Sequence, residues 1–120
     1  MSSEDRANKI SYVELPVEKT EDLARMRQFY TDVFGWVYQN WGDAYADTKS
    51  SGVASGLNGD PAHRARSPLV VIYTPNLEAM QEKVRSEGAT IIKDIFSFPG
   101  GRRFHFRDPA GNDLAVWSDK

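Results

Sequence analysis

The chain has two histidines and no cysteine, so thiolate catalysis, disulfides and cysteine-bound metal are excluded at the outset. Proton transfer near neutral pH falls to imidazole and to carboxylates held in apolar surroundings. His105 lies in Arg102-Arg103-Phe104-His105-Phe106-Arg107, a run whose alternation reads as a strand. Phe104 and Phe106 take one face, and Arg103, His105 and Arg107 take the other. Glu14 stands in the same kind of run, Tyr12-Val-Glu-Leu-Pro-Val17, with Tyr12 on its own face and Val13, Leu15 and Val17 opposite. His105 reads either as an acid–base group or as a histidine hydrogen-bonded on a sheet face. Glu14 reads either as a base or as the salt partner of Arg103. His63 sits among Arg64 and Arg66 in a polar stretch and is read as a loop residue.

These residues need a sheet to hold them. The 120 residues bound the chain to a single domain, and a 40% hydrophobic share is ordinary for a globular core. A formal charge of −2 supplies no general field for nucleic acid or anionic lipid, so neither is expected as a partner. The polar opening from Met1 to Lys9 has no apolar stretch of the signal-peptide kind, and no long apolar run follows, so a cytoplasmic location is expected.

The pattern predicts β-α-β-β-β twice. Ile10–Val17 forms the first strand. A helix spans about residues 21–34, with Thr20 as N-cap and Gly35 in the left-handed C′ position; Leu23, Met26, Tyr30, Val33 and Phe34 form its stripe. Three short strands follow at Trp36–Asn40, Ala44–Thr48 and Gly52–Leu57. A polar linker, 58–67, separates the halves. Leu69–Tyr73, a helix opened by Pro75-Asn76 and closed at Gly88, then Thr90–Phe96, Arg102–Arg107 and Asp113–Trp117 repeat the order. The fold class is therefore α+β, with module 1 at about 10–57 and module 2 at about 68–117 inside one domain, 1–120. Half-sheets of this kind leave edges to cover, which favours a homodimer.

Three stretches carry a resemblance: Tyr12-Val-Glu-Leu-Pro-Val17, Phe29-Tyr-Thr-Asp-Val-Phe-Gly-Trp36 and Phe106-Arg-Asp-Pro-Ala-Gly-Asn112. Together they resemble the vicinal oxygen chelate superfamily, which contains glyoxalase I, bleomycin-resistance proteins, fosfomycin-resistance enzymes and extradiol dioxygenases. The short members related to lactoylglutathione lyase are nearest in flavour. The resemblance implies paired βαβββ modules, a homodimer and a U-shaped cleft that in the family's enzymes holds one divalent metal. The positions of the family's metal ligands fall here on Tyr12, Leu69 and Ala115. Leucine and alanine offer no donor atom, so no metal or other cofactor is expected. A substitute site from Glu14, Asp47 and His105 is the disfavoured alternative.

Alternation independently lists the cleft. Tyr12, Glu14, Tyr73, Arg103, His105, Asp113 and Trp117 fall on the concave side, and Tyr38, Trp41 and Tyr45 are assigned to its wall. Such a mixture suits a small, partly aromatic or anionic organic ligand. Two functions follow as expectations. One is a metal-independent protein that binds or sequesters its ligand. The other is a lyase or isomerase acting on a small carbonyl compound, with Glu14 and His105 as acid–base groups.

Overall fold

A computed structural model describes the backbone of residues 3–120 and the side chains of residues 5–120. Met1 and Ser2, the start of the polar opening, lie outside the described residues. Among the described residues, no helix is long and apolar enough to cross a membrane.

The elements run α1 (Ser3–Arg6), β1 (Ile10–Pro16), a 3-10 turn (Thr20–Asp22), α2 (Leu23–Phe34), β2 (Tyr38–Asn40), β3 (Tyr45–Thr48), β4 (Ser55–Asn58), β5 (Leu69–Tyr73), α3 (Leu77–Ser86), β6 (Thr90–Phe98), β7 (Gly101–Arg107) and β8 (Asp113–Ser118). This is the α+β class expected, with β-α-β-β-β in each half. The chain separates into two compact units, residues 12–69 and residues 1–11 with 70–120.

In the unit of residues 12–69 the strand order is β2-β3-β4-β1, with β1 and β4 parallel and the remaining pairs antiparallel. A parallel pair needs a crossover, and α2 supplies it. Leu15, Ala46 and Leu57 lie side by side in register and meet Val17, Leu23, Met26 and Tyr30 in one core. The 3-10 turn replaces the expected cap: Thr20 is not the N-cap of α2 and donates its hydroxyl to the Gly59 carbonyl at 2.7 Å. Gly35 ends α2 at φ 76°, the left-handed position that the sequence predicts. Strand β4 runs three residues later than expected at its start and takes in Asn58, which alternation had left to the linker.

The second unit is ordered β5-β8-β7-β6, with β5 and β8 parallel around α3. Asn76 caps α3, its side chain accepting from the Ala79 amide at 3.2 Å. Leu77, Phe104, Phe106 and Val116 form the core under α3, with Ile72, Met80, Val84, Ile91 and Ile95 packed against them. The same periodicity that buries these residues points Arg103, His105, Tyr73 and Trp117 to the opposite face.

The turn from Asp108 to Asn112 is closed by its own first residue. One Asp108 oxygen accepts from the amides of Ala110 at 2.9 Å and Asn112 at 2.8 Å, and the other takes the Asn112 side chain at 2.9 Å. These bonds, the Asn112 side chain foremost, hold the Asp108 carboxyl below the usual range.

Candidate functional site

Two groups of side chains gather on the sheet faces away from the helices, one in each unit. In the unit of residues 12–69, β1, β3 and β4 carry Tyr12, Glu14, Tyr45, Asp47, Gly56 and Asn58 on one face, because Glu14 stands opposite Gly56 and Gly56 opposite Asp47. Glu14 is buried at 2% exposure. One of its carboxylate oxygens accepts the Tyr45 hydroxyl at 2.9 Å and the other accepts Asn58 Nδ2 at 2.8 Å. The hydroxyls of Tyr12 and Tyr45 are 2.6 Å apart. Burial, reinforced by the Glu14 charge, drives the Tyr45 pKa far above that of an ordinary phenol, so its proton stays on oxygen.

Gly56 is what allows the two phenols to meet. A Cβ there would collide with both hydroxyl oxygens and would stand 2.8 Å from Tyr45 Cζ. The strand passes beneath the ring oxygens as bare backbone.

In the other unit, a row of aromatic and cationic groups crosses all four strands. The Tyr73 and Trp117 rings meet edge to face at 5.1 Å, and Trp117 lies 6.4 Å from Phe98. The Arg103 guanidinium sits 5.3 Å from the Phe96 ring centre and 5.8 Å from that of Phe98. Phe96 in turn lies 5.7 Å from the His105 ring and carries the Lys93 ammonium at 4.6 Å. Arg103 and His105 are both buried, at 8% and 6% exposure. At the far end, Arg6 of α1 lies 3.9 Å over Tyr73 and bonds Asp119 at 2.8 Å. Asp119 also accepts the Tyr73 hydroxyl at 2.7 Å, and Trp117 Nε1 donates to Ser11 at 3.0 Å. Arg6 lies in the opening stretch that composition marks only as polar.

Phe96, Phe98 and Lys93 escape a reading by alternation because β6 slips twice. Lys93 pairs with His105 but Phe96 pairs with Arg103, with register shifts on either side of Lys93. Each slip inverts the phase of the strand, so Ile91 and Ile95 reach the core while Lys93, Phe96 and Phe98 join the face of Arg103 and His105. A bulge has no periodicity to announce it.

The structure thus brings Tyr12, Glu14 and Tyr45 together in one network, and Tyr73, Arg103, His105 and Trp117 together in one row. Tyr38 is placed otherwise. It pairs with Thr48 on the helix side of its sheet and packs on the core of α2, where burial pushes its pKa up to about 12. Trp41 stands 57% exposed beyond β2. Asp113 commits both carboxylate oxygens to Arg107, at 2.7 and 3.1 Å. His63 lies in the turn after Asp60, to whose carbonyl its amide donates at 3.1 Å.

The family's divalent metal does not fit these residues. Leu69 and Ala115 are buried without donor atoms, and Tyr12 turns its hydroxyl to Tyr45. Glu14 has both oxygens on neutral hydrogen-bond donors. Among the described residues, no three His, Asp or Glu side chains come together to hold an ion, the Glu14, Asp47 and His105 trio included.

Comparison with known proteins agrees with this fold. The chain is 30% identical over 117 residues to the anthracycline biosynthesis protein DnrV of Streptomyces peucetius; the match takes in 80% of this chain and 42% of that protein, so the chain spans less than half of its relative. Among solved structures it superposes on an NAD-dependent benzaldehyde dehydrogenase from Legionella pneumophila with a TM-score of 0.74 at 15% identity, covering 91% of this chain and 98% of that one. The Mn(II)-bound glyoxalase from Novosphingobium aromaticivorans gives a TM-score of 0.66 at 24% identity, over 95% of this chain and 40% of that one. At such identities the structural likenesses speak for the fold alone. The sequence profile of the Glyoxalase/Bleomycin resistance protein/Dioxygenase superfamily matches residues 9–116, and to that superfamily this chain belongs.

Proposed function

We propose that the chain binds or sequesters a small, partly aromatic organic molecule without the family's metal. The observation that carries this reading is the row Phe96, Arg103, Phe98 and Trp117, in which half-buried flat rings flank a guanidinium on one sheet face; Tyr73, fully buried under Arg6, backs Trp117 from behind. Rings and guanidinium planes recognise a planar π-system by stacking and cation–π attraction, and neither needs a metal. The name of the 30% identical relative, an anthracycline biosynthesis protein, supports an aromatic ligand.

A lyase or isomerase acting on a small carbonyl compound is the second reading, favoured by one feature. Glu14 is a buried carboxylate bonded to the Tyr45 phenol and, through it, linked to Tyr12, the surroundings in which a carboxylate can serve as a base. His105 is the second acid–base group of this reading. A homodimer accompanies either function. It is supported by the apolar surface that α2 and its following loop leave open at Phe29, Val33, Phe34 and Val37.

Calorimetric titration with neutral 2-naphthol and with 2-naphthoate tests the primary reading. Binding that weakens several-fold in Arg103→Met, with no turnover of a panel of 2-hydroxy and 2-keto carbonyl compounds, is the expected result. Absence of binding together with turnover that Glu14→Gln abolishes would replace it with the enzymatic reading. Light scattering during gel filtration measures the oligomeric state.

A further inference from the structure

Arg6 is held by the chain as a receptor holds a cation. Its guanidinium lies 3.9 Å over the Tyr73 ring and 5.5 Å from that of Trp117, and its Nη2 donates to Asp119 Oδ2 at 2.8 Å. Two aromatic faces and a carboxylate suit a guanidinium or amidinium group, because the rings attract its charge and the carboxylate accepts its N–H groups. All four residues belong to the unit of residues 1–11 and 70–120.

The walls of this cage have anchors of their own. Tyr73 donates its hydroxyl to Asp119 Oδ1 at 2.7 Å, and Trp117 Nε1 donates to Ser11 at 3.0 Å. Asp119 is followed by Lys120, whose carbonyl accepts from Arg102 Nε at 3.1 Å and from Arg102 Nη2 at 2.9 Å. Arg6 is held less firmly. It lies on one turn of helix, too short to be stable alone, joined to β1 through Asn8 in the left-handed region at φ 63°. The side chains of the Arg6–Asp119 pair are 28% and 36% exposed, and Arg6 Nε is buried without an acceptor among the described residues. A partly exposed ion pair contributes little, and an unmet buried donor weakens the arrangement further.

We propose that Tyr73, Trp117 and Asp119 form a binding site for a planar guanidinium or amidinium cation, occupied in this structure by the chain's own Arg6, which an incoming cation displaces. The site stands apart from the reading given above, which concerns a neutral or anionic aromatic and the Arg103 end of the row. Arg6 acts as a tethered competitor: it lowers the apparent affinity for a free cation by the fraction of chains in which it has swung away.

Calorimetric titration of the wild-type chain and of Arg6→Ala with benzamidinium chloride, and with neutral benzamide, tests this. Arg6→Ala should bind benzamidinium about tenfold more tightly than the wild-type chain, the factor by which one exposed ion pair and one cation–π contact hold the site closed. Benzamide should not bind, and adding Asp119→Asn to Arg6→Ala should abolish most of the gain. Several outcomes overturn the proposal: equal affinity in the two chains, no binding to an Arg6→Ala chain that still melts cooperatively, benzamide binding as tightly as benzamidinium, or a gain that survives Asp119→Asn. Should Arg6→Ala not melt cooperatively, the wild-type chain decides. Its Arg6 Nε–Hε resonance should shift on addition of benzamidinium and stay still with benzamide; a resonance that benzamidinium leaves unmoved, or that both compounds move alike, overturns the proposal.

Discussion

Tyr73 donates its phenolic proton to Asp119 across 2.7 Å while the Arg6 guanidinium lies on the face of its ring. A ring buried at 0% exposure thus has its polar end satisfied and its π-face covered, and both partners come from the two ends of the chain.

The hydrogen bond from Tyr73, helped by Arg6, holds the Asp119 carboxyl below the usual range. A depressed carboxyl pKa contributes stability that is fully present above the unfolded value of about 3.9 and is lost as pH falls through the folded value. Tyr73→Phe should therefore melt below the wild-type chain at neutral pH, by the worth of about one hydrogen bond, roughly 0.5–1.5 kcal/mol. Below the folded value the two melting curves should converge. A gap that is the same in strong acid and at neutrality would separate Asp119 from the effect.

Tyr38 supplies the opposite sign. A phenol is neutral when protonated, so a value raised to about 12, chiefly by burial, gives stability present below the ordinary phenol pKa of about 10. That stability fades as pH rises from there through the folded value. Near-UV titration of phenolate absorbance should show Tyr38 ionising after the exposed tyrosines, and Tyr38→Phe should remove that late component. Loss of an early component instead would place Tyr38 in solvent.

Gly56→Ala should destabilise the fold by about 1–3 kcal/mol, because the new methyl overlaps the phenol oxygens of Tyr12 and Tyr45. Urea midpoints measure it. A second chain carrying Gly56→Ala with Tyr45→Ala should recover part of the loss, since the Tyr45 ring supplies much of the collision. Additive losses would mean that strand β4 itself rejects the methyl.

Dialysis of the protein against nickel, zinc, manganese or iron, followed by elemental analysis, should leave less than one ion per chain. The donor set at Tyr12, Leu69 and Ala115 predicts this. One ion retained tightly per chain would show that other side chains assemble a site on loading.

Asn76→Ala removes the N-cap of α3 and should cost about 1 kcal/mol, whereas Thr20→Ala should act through the lost bond to Gly59 rather than through helix α2. Amide exchange distinguishes them: faster exchange in the first turn of α3 for the former, and no matching change in α2 for the latter.

The α+β class and the doubled β-α-β-β-β order were legible in the sequence because regular alternation and helical spacing are properties of consecutive residues. The faces of β1, β7 and β8 could be read for the same reason, and with them the placement of Tyr12 beside Glu14 and of Arg103 beside His105. Three kinds of information were not local. The two slips in β6 hid Phe96 and Phe98, since an inserted residue looks like any other. Asn58 was hidden because a strand end beside a polar stretch has no signal of its own. Tyr38 illustrates a short strand whose register depends on its partner, and pairing with Thr48 carried it to the helix side.

The self-closing turn at Asp108 has a practical consequence. The three hydrogen bonds of the Asp108 side chain are all made within five residues, and the turn's backbone adds two more inside the same stretch. One of the three stretches that carry the family resemblance is thus accounted for by the needs of the β7–β8 hairpin alone. A loop that closes itself can be kept for folding whatever the neighbouring strands present, so its sequence carries information about the hairpin and none about chemistry.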